Sequence, residues 1–219
     1  ALQHGLAALH DALNAREDPD DRQLATRAAS AWVLARAQAA TPGELRYLHD
    51  AWLAKLPTPL AAAQLGAALA RAGDAERARS AFARAFGFDE RPYYWWDYGS
   101  ALRDRAAVLA LAAEAGQSER IGDLASAVAR EADARRYLST QEQGWLLLAA
   151  QAIGAGQGTL TLSRDGAPWA AGQARARLRP DAAQLGKGVS LANGGTAPVW
   201  VRVTRSGIPE ADQPAASEG

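Results

Sequence analysis

The sequence predicts a mainly α-helical fold, with antiparallel α-hairpins followed by a small antiparallel β region. Residues 1–155 are rich in Ala, Leu and Arg, which are strong helix formers. Beyond the glycine-rich segment 154–158, apolar and polar residues alternate with the period of two that is typical of strands. This change in composition predicts a helical domain over residues 1–155, a β-strand segment over 156–208 and a linker or tail over 209–219.

Capping signals place the ends of the helices. Thr41-Pro42-Gly43-Glu44 is a capping box with proline at the first helical position, and Thr58-Pro59 repeats that start. Gly73 followed by Asp74 indicates the end of one helix and the N-cap of the next. The predicted helices cover residues 2–15, 21–39, 43–55, 59–72, 75–86, 99–115, 119–134 and 140–153. Because their connections are short, neighbouring helices should pack as antiparallel hairpins.

The helix that follows Ser100 has one apolar face. Its apolar residues recur at intervals of three to four, as Leu102, Ala106, Leu109 and Ala113. The charged residues Arg103, Asp104 and Arg105 are therefore expected on the side away from the core.

Five large aromatic side chains lie within residues 93–98, which are predicted to form a loop. A loop that concentrates aromatic residues either packs over the edge of a core or forms a contact surface. Asp97 lies among these aromatics and is the only acidic residue of the chain in so unusual a setting. We expect Asp97 to cap the helix that follows Ser100 rather than to act as a catalyst.

The last predicted helix starts at a capping box. Ser139 and Glu142 have the spacing at which the serine oxygen accepts the Glu142 N–H and the glutamate reaches back to the serine N–H. The glycines at 154, 156 and 158 are interpreted as an interdomain hinge. Since they follow a helix and precede a strand, they lack the strand-to-helix order of a dinucleotide-binding loop.

The β region is predicted to contain four short strands, over residues 159–163, 173–179, 189–192 and 198–204. Asp165-Gly166 and Asn193-Gly194-Gly195 are turn signals, so at least two of these strands should be joined as hairpins.

The composition excludes several classes of function. The 24 Lys and Arg residues balance the 24 Asp and Glu residues, so no net charge attracts nucleic acid or an anionic membrane surface. No apolar run approaches the roughly 18 residues that cross a bilayer, so no direct membrane contact is expected. Without cysteine the chain cannot form a disulfide, a Cys-ligated zinc site or an internal thioester. The absence of methionine suggests an excised or processed piece.

No catalytic, cofactor-binding or metal-binding residues are predicted, and the chain is not expected to be an enzyme. His4 and His10 diverge around a helix, while His49 forms a local pair with Asp50. The other acidic residues fall mainly at caps and exposed turns, at 17–21, Asp89, Glu90, Glu131 and Asp133. These positions favour solvated surface over a catalytic pair of acids.

Residues 60–86 look much like one tetratricopeptide repeat, with Phe82 in the seam between two helices. A solenoid of such repeats needs about three copies at a period near 34 residues, and only this copy is found. A helical scaffold for protein–protein interaction is therefore the alternative function. A glycan-active α/α-barrel enzyme is a more distant alternative, which predicts two convergent acids in a cleft near residues 93–98.

Four motifs resemble the bacterial α2-macroglobulin family in the order expected for its thioester-containing domain and the β region that follows. Residues 97–106 are similar to D-Y-G-S-x-L-R-D-x-A, and residues 139–150 contain a segment similar to S-T-Q-E-x-x-W-x-L-L-A. The other two lie at residues 45–66 and at 193–209. Four ordered motifs that span nearly the whole chain are more specific than any one of them.

The resemblance implies the C-terminal part of the thioester domain, an α/α toroid, followed by strands of a CUB-like domain. In this family a protease cleaves a bait region and the molecule collapses around it, which implies a broad-spectrum endopeptidase inhibitor of bacterial defence. The implied partners are target proteases, bound through the full-length parent, and a cell-wall synthase in the periplasm. The parent would be a periplasmic lipoprotein whose anchor and bait precede Ala1. The Cys-x-Glu-Gln motif would precede Ala1 too if the parent is one of the members that carry the thioester, since some bacterial members lack it.

Half a toroid would leave one helical edge unpaired. The chain is therefore expected either to self-associate through that edge or to close into a smaller arrangement. Size-exclusion chromatography with light scattering distinguishes the two, since a monomer with no exposed apolar patch contradicts self-association.

Overall fold

The computed structural model describes residues 2–15, 18–117, 119–156, 158–196, 199, 201 and 203–204. The predicted tail at 209–219 lies outside these described residues. The chain divides into two compact units, Ala1–Gly156 and Gln157–Gly219. The first unit is helical and the second contains a small antiparallel sheet. Within the described ranges, no helix is long and apolar enough to cross a membrane.

The helical unit contains α1 Leu2–Asn14, α2 Asp21–Arg36, α3 Pro42–Trp52, α4 Pro59–Arg71, α5 Ala75–Phe86, α6 Ala101–Glu114, α7 Ile121–Asp133 and α8 Thr140–Gly156. A 3-10 turn, Leu53–Lys55, follows α3. Each of these helices corresponds to a predicted one, which confirms the mainly α fold class. Helix α8 continues to Gly156 instead of ending at residue 153, so Gly154 is helical, and the boundary between the two units follows Gly156.

Side-chain caps hold the helix starts that the sequence predicts. Thr41 Oγ1 accepts the Glu44 N–H at 3.3 Å, and Glu44 Oε2 accepts the Thr41 N–H at 2.8 Å, which completes the capping box of α3. Thr58 Oγ1 accepts a backbone N–H of α4 at 3.1 Å. Gly73 takes a φ of +80° after α4, and the Asp74 side chain caps α5. Local sequence signals therefore determine where these helices begin.

Helices α2, α4, α6 and α8 form one layer in which each contacts the next. Helices α4 and α6 lie in the middle of this layer and are buried on nearly all sides. Small buried side chains of α4, such as Ala61, Ala62 and Ala63, let neighbouring helices approach closely. On α8, Trp145 packs against Trp32 of α2, with ring centroids 5.8 Å apart. Helix α8 therefore also touches α2 through this aromatic pair.

Helices adjacent in sequence also pair, as α1 with α2, α4 with α5 and α6 with α7. The predicted hairpins are confirmed by these pairs. The contact between α6 and α8 joins helices that are not adjacent in sequence, and the sequence pattern does not predict it. On α8, Leu147 and Leu148 are 60% and 40% exposed. Self-association through this apolar edge stays a prediction.

The core of the helical unit packs tightly around Phe82 of α5, which is 1% exposed. Its ring lies against Gly66 of α4, where an added Cβ atom would stand 3.0 Å from the ring carbons Cδ2 and Cε2. The ring of Phe86 is its aromatic neighbour, at 6.4 Å between centroids. Glycine at position 66 is therefore what lets α4 and α5 approach this closely.

Glu44 at the start of α3 also holds α1. Its Oε1 atom lies 3.0 Å from His10 Nδ1 and accepts Asn14 Nδ2 at 2.7 Å. Its Oε2 atom accepts both the backbone N–H and the hydroxyl of Thr41 at 2.8 Å. Burial acts to raise the pKa of Glu44, but the hydrogen bonds from Asn14, Thr41 and His10 outweigh it and lower the pKa to about 2.

We expect the Glu44 contacts to make stability depend on pH. Because the pKa is lower in the folded than in the unfolded chain, the stabilisation is present above about pH 4.5 and is lost as the pH falls toward about 2. Urea denaturation at several pH values should show a steeper loss of unfolding free energy in acid for the wild type than for Glu44→Gln. Glu76→Gln, at an exposed position of α5, is the matched control. Equal slopes for the wild type and Glu44→Gln would contradict this expectation.

In the second unit, β1 Thr161–Arg164 pairs antiparallel with β2 Ala167–Ala171 and with β3 Leu191–Asn193, in the sheet order β2-β1-β3. Asp165 and Gly166, with φ of +50° and +82°, form the two-residue turn between β1 and β2. The predicted turn and hairpin are confirmed here.

The second strand lies earlier than predicted. The prediction of a strand at residues 173–179 is wrong, because the tight turn after β1 returns the chain at once and residues 167–171 form the strand. Pro168 weakens the strand signal there, since proline cannot donate a ladder hydrogen bond. It is accommodated because β2 is an edge strand and its pairing with β1 is irregular after Leu162.

A short helix, α9 Ala182–Lys187, precedes β3 and is missing from the sequence prediction. It starts at a capping box in which Asp181 Oδ1 accepts the Gln184 N–H at 2.8 Å and Gln184 Oε1 accepts the Asp181 N–H at 3.1 Å. The same spacing rule that locates α8 also applies to this helix. The strand predicted at 189–192 overlaps β3, whereas the one predicted at 198–204 falls partly outside the described residues, and those of it that are described form no strand.

Candidate functional site: an aromatic loop anchored by buried ion pairs

Four charged side chains form a buried ion cluster at the start of α6. They are Arg91, Asp97, Arg103 and Asp104, with side chains 5%, 11%, 6% and 1% exposed. Asp104 accepts Arg91 Nε at 3.0 Å and Arg103 Nε at 2.7 Å. Asp97 Oδ2 accepts Arg103 Nη2 at 2.9 Å and also pairs with Arg91. Two positive and two negative groups balance, which is the condition under which charges are tolerated in a protein interior.

The burial of this cluster corrects the prediction for α6. The sequence pattern places Arg103 and Asp104 on the side away from the core, yet they are 5% and 0% exposed, and only Arg105 faces solvent. The reason is tertiary: α4, α7 and α8 all pack around α6, so its charged side is covered as well as its apolar one. Charges on a helix that is enclosed in this way must be paired with each other.

The pKa values of the two acids of the cluster are shifted in opposite directions. Burial raises the pKa of Asp104, and the charges of Arg103 and Arg91 offset this effect only in part. Burial also acts to raise the pKa of Asp97, but the Gly99 N–H, the hydrogen bond from Arg91 and the neighbouring positive charges bring it below its usual range. Both carboxylates are occupied by guanidinium groups, which favours a structural role over the pair of acids that a glycan-active enzyme needs.

Ser100, and not Asp97, caps α6. Ser100 Oγ accepts the Arg103 N–H at 3.0 Å, whereas Asp97 Oδ1 accepts the Gly99 N–H at 2.9 Å, one residue before the helix cap. The prediction that Asp97 caps this helix is therefore wrong. Asp97 instead fixes the end of the aromatic loop, because its second oxygen is held by two buried arginines.

The predicted capping box of α8 is confirmed, and its glutamate also bonds to the residue that caps α6. Glu142 Oε2 accepts the Ser139 N–H at 2.7 Å, and Ser139 Oγ accepts the Glu142 N–H at 3.3 Å. Glu142 Oε1 also accepts the Ser100 hydroxyl at 2.6 Å and Arg135 Nη1 at 2.9 Å. Burial acts to raise the pKa of Glu142, but the bonds from Ser100 and Ser139 and the charge of Arg135 lower it overall.

Arg103 makes a second link between α6 and α8. Its Nη1 donates to Gln141 Oε1 at 3.1 Å and to the Asp97 carbonyl oxygen at 3.1 Å. The starts of α6 and α8 are thus joined by hydrogen bonds between residues 38 and 42 positions apart in sequence. The sequence contains no local signal for such partners.

Replacing Gly99 by alanine is expected to disrupt the ion cluster. An added Cβ would collide with the guanidinium groups of Arg91 and Arg103, closer than real Cβ atoms approach. Overpacking of this kind costs about 1–3 kcal/mol, which urea denaturation should show as a loss of unfolding free energy. Gly144→Ala in α8 is the matched control, since open space surrounds that position and alanine favours a helix. If Gly99→Ala left the free energy of unfolding unchanged, the expected disruption of the ion cluster would be contradicted.

The anchored loop has an inner and an outer side. On the inner side, the Tyr94 hydroxyl donates to Asp21 Oδ2 at 2.8 Å and the Tyr94 ring lies 5.0 Å from that of Trp96. On the outer side Tyr93, Trp95 and Tyr98 are 84%, 71% and 83% exposed. We call these three outer residues the aromatic face. The loop therefore packs on the helices through Tyr94, while the contact surface that its composition also allows stays a prediction.

A cavity of about 300 Å³ lies beside the loop, between α2, α4 and the start of α6. We call it the loop cavity, and it is lined by Arg22, Thr26, Ala61, Gln64, Trp96 and Asp97, among others. Its lining combines small side chains with the carboxamide of Gln64, the guanidinium groups of Arg22 and Arg103 and the indole of Trp96.

The other sequence candidates lie apart from this site. His10 contacts Glu44 and His49 contacts Asp50, with His49 Nδ1 2.8 Å from Asp50 Oδ1. His4 is exposed on α1. In the part of the chain that the structure describes, no group of three or more His, Cys, Asp or Glu residues could hold a metal ion.

The acidic residues predicted at caps and turns are spread over the surface. Asp89, Glu90 and Asp133 are exposed, and Glu131 pairs with Arg105 and Arg135. Glu17 lies outside the described residues.

The chain is similar to known bacterial proteins, although no protein-family model matches it. The α2-macroglobulin of Xylella fastidiosa (strain 9a5c) is 34% identical in an alignment of 198 residues that covers 84% of this chain and 12% of that protein. The α2-macroglobulin of Escherichia coli K12 is 34% identical in an alignment of 200 residues that covers 86% of this chain and 12% of that protein. The chain thus spans 12% of the length of these curated relatives.

Solved structures agree with these relatives. Salmonella α2-macroglobulin reacted with methylamine matches with a TM-score of 0.65 and 30% identity, over 90% of this chain and 13% of that one. Native Escherichia coli α2-macroglobulin, spanning domain MG7 to the C-terminus, matches with a TM-score of 0.63 and 29% identity, over 79% of this chain and 29% of that one. The trypsin-activated Escherichia coli protein matches with a TM-score of 0.62 and 27% identity, over 88% of this chain and 13% of that one.

Proposed function

Because the chain belongs to the bacterial α2-macroglobulin family, we propose that it is a structural segment of a broad-spectrum protease inhibitor that traps its targets after bait cleavage. The observation that carries the proposal is the 34% identity over 198 residues to a protein of that name. Since the chain spans 12% of that relative, we propose the trapping activity for the longer polypeptide that contains this chain.

Within that polypeptide, residues 1–155 are assigned to the C-terminal part of an α/α toroid and residues 156–208 to CUB-like strands. The layer formed by α2, α4, α6 and α8 supports the toroid, because alternate helices make up the inner layer of such a fold. The match to a structure that spans domain MG7 to the C-terminus of the Escherichia coli protein supports a location within the corresponding part of the polypeptide.

The segment has a structural role and contributes no reactive group. It contains no cysteine, so a thioester would have to come from another part of the polypeptide. The family-like residues Asp97, Arg103 and Asp104 are engaged in the buried ion cluster, which supports a structural role. The tetratricopeptide-like scaffold is not favoured, since the relatives described above are α2-macroglobulins.

The targets are proteases, and the site of action is the periplasm. Escherichia coli α2-macroglobulin has been solved after activation by trypsin and by porcine elastase, which supports proteases of different specificities as targets of this protein too. A lipid anchor on the parent and a cell-wall synthase as a periplasmic partner complete the proposal.

The test uses the full polypeptide that carries this chain, incubated with trypsin. A trap blocks large substrates sterically and leaves the protease active site free, so digestion of a protein substrate should fall strongly while hydrolysis of a small chromogenic peptide persists. Loss of both activities would indicate an inhibitor that binds the active site. Retention of both would contradict the proposal.

A further inference from the structure

We propose that residues 174–180 are a cleavage site for proteases of trypsin-like specificity, which hydrolyse the peptide bond between Arg177 and Leu178. In that reaction water adds across the bond, so Arg177 gains a carboxylate and Leu178 gains an amino group. The site is distinct from the bait of the proposed trap, which the family resemblance implies to lie before Ala1. Cleavage here depends only on the segment itself, whether or not the parent polypeptide is a trap.

The segment connects the edge strand β2 to helix α9 and is extended. Residues 175–180 run on without a turn or a bend, and their side chains alternate in exposure. Arg175, Arg177 and Arg179 are exposed, whereas the residue that follows each of them is half-buried. A period of two is that of an extended chain, so the pattern that predicts a strand here is retained although no strand partner is present among the described residues.

The main chain of the segment is free to pair. Within the described ranges, residues 174–180 form no hydrogen bond with any other part of the chain. An extended peptide can be bound as an added strand, through main-chain hydrogen bonds and pockets for alternate side chains. Because the Arg177–Leu178 bond lies in the middle of the segment, unpaired main-chain groups are available to a protease on both sides of it.

The arginine side chains are also free. None of the three guanidinium groups pairs with an acid in the part of the chain that the structure describes. The specificity pocket of trypsin contains an aspartate that receives a basic side chain of the substrate. Arg177 can therefore enter such a pocket without first losing an ion pair.

Arg177 is favoured over its two neighbours. The bond after Arg179 is protected because Pro180 has no N–H and its ring restricts the residue before it. On the other side, Gly172 takes a φ of +75° and residue 174 lies in a bend, so the chain before Arg175 is not extended. Arg175 is therefore the secondary site.

Most other exposed arginines lie in helices, whose hydrogen bonds must open before a protease can bind the backbone. Arg136 is exposed in the loop between α7 and α8, but the chain is held on both sides of it. The Arg135 N–H donates to the Ala132 carbonyl oxygen at 3.2 Å, and Ser139 belongs to the capping box of α8. Arg136 is thus a matched control.

A cut after Arg177 leaves β1 and β2 on one fragment and β3 on the other. Strands β1 and β3 pair antiparallel, and Asp165 Oδ1 accepts the Ser190 N–H at 2.9 Å. These contacts span the cut, so the fragments must be denatured before their masses are measured.

The test treats the 219-residue chain with a trace of trypsin under native conditions and follows each cut by mass spectrometry. Cleavage after Arg177 should come first among the arginines and lysines of the described residues. It should be at least about tenfold faster than cleavage after Arg136, whose backbone has to open first. If any other described bond were cut before Arg177–Leu178, the proposal would be overturned.

Two variants test the role of the arginines and of the proline. Arg175→Gln combined with Arg177→Gln should slow cleavage of the segment at least about tenfold, because Arg179 remains but is protected by Pro180. Adding Pro180→Ala should restore cleavage, now after Arg179. Arg136→Gln, the control, should leave cleavage after Arg177 unchanged.

Circular dichroism shows that each variant is folded before it is assayed. A folded triple variant that stays uncut within residues 174–180 would overturn the proposal, since the segment would then not be accessible as an extended substrate. Undiminished cleavage of the double variant would do so too. The trap assay measures which substrates trypsin can digest, whereas this assay locates a cut in the chain, so either can fail alone.

Discussion

Replacing Asp104 by alanine is expected to lower the free energy of unfolding by about 3–5 kcal/mol, the usual cost of removing one partner from a buried ion pair. Asp104 is 0% exposed and accepts the Nε groups of both Arg91 and Arg103. Without it, two buried guanidinium groups share the single carboxylate of Asp97. The measurement is urea denaturation of the chain, followed by circular dichroism.

Arg105→Ala is the control for this prediction. Arg105 is the next residue of α6, but its side chain is 45% exposed and pairs with Glu131 at the surface. Exposed pairs contribute about 0–1 kcal/mol, so this variant should remain close to the wild type. If Asp104→Ala were no more destabilised than Arg105→Ala, the buried ion cluster would not have the structural role assigned to it.

Phe82→Ala is the second change with a large expected effect. Phe82 is 1% exposed at the contact of α4 with α5, and loss of a buried phenylalanine side chain with the cavity it leaves costs about 3–5 kcal/mol. Tyr47→Ala, at a position 61% exposed, is the control and should change the free energy of unfolding by less than about 0.5 kcal/mol. Urea denaturation measures both.

A double-mutant cycle with Gly66 tests the packing directly. Gly66→Leu alone should destabilise the chain, because an added Cβ meets the Phe82 ring at 3.0 Å. In the Phe82→Ala background the same leucine can enter the vacated space, so its effect should become smaller or change sign. Additive effects of the two substitutions would show that positions 66 and 82 do not share a contact.

Predictions from local signals are the most reliable. The Thr41 and Ser139 capping boxes, the Thr58 start and the Gly73 stop all correspond to real helix ends. A cap is formed by atoms three residues apart, so its geometry is contained in the sequence itself. The capping box at Asp181 shows that the rule extends to the short helix α9, whose start has the same local signal.

The errors arise where distant parts of the chain decide the outcome. A single apolar stripe on α6 suggests one buried side, but α4, α7 and α8 enclose the helix and bury Arg103 and Asp104 too. The second strand is predicted too late because Pro168 is acceptable only on the edge of a sheet, and its edge position depends on pairing. The aromatic loop is recognisable from its composition, but its anchors are not.

Helix boundaries, the Asp165-Gly166 hairpin turn, the absence of a thioester from this segment and the family resemblance can all be obtained from the amino-acid sequence. Three other features require the packed chain: Glu142 joins α8 to α6, Arg91 and Asp97 anchor the aromatic loop, and Gln64 of α4 lines the same cavity as Trp96 of the loop. The physical reason is the range of the interactions. Caps and turns form between residues a few positions apart, whereas buried charges and amides depend on which distant groups the packing brings within hydrogen-bonding distance.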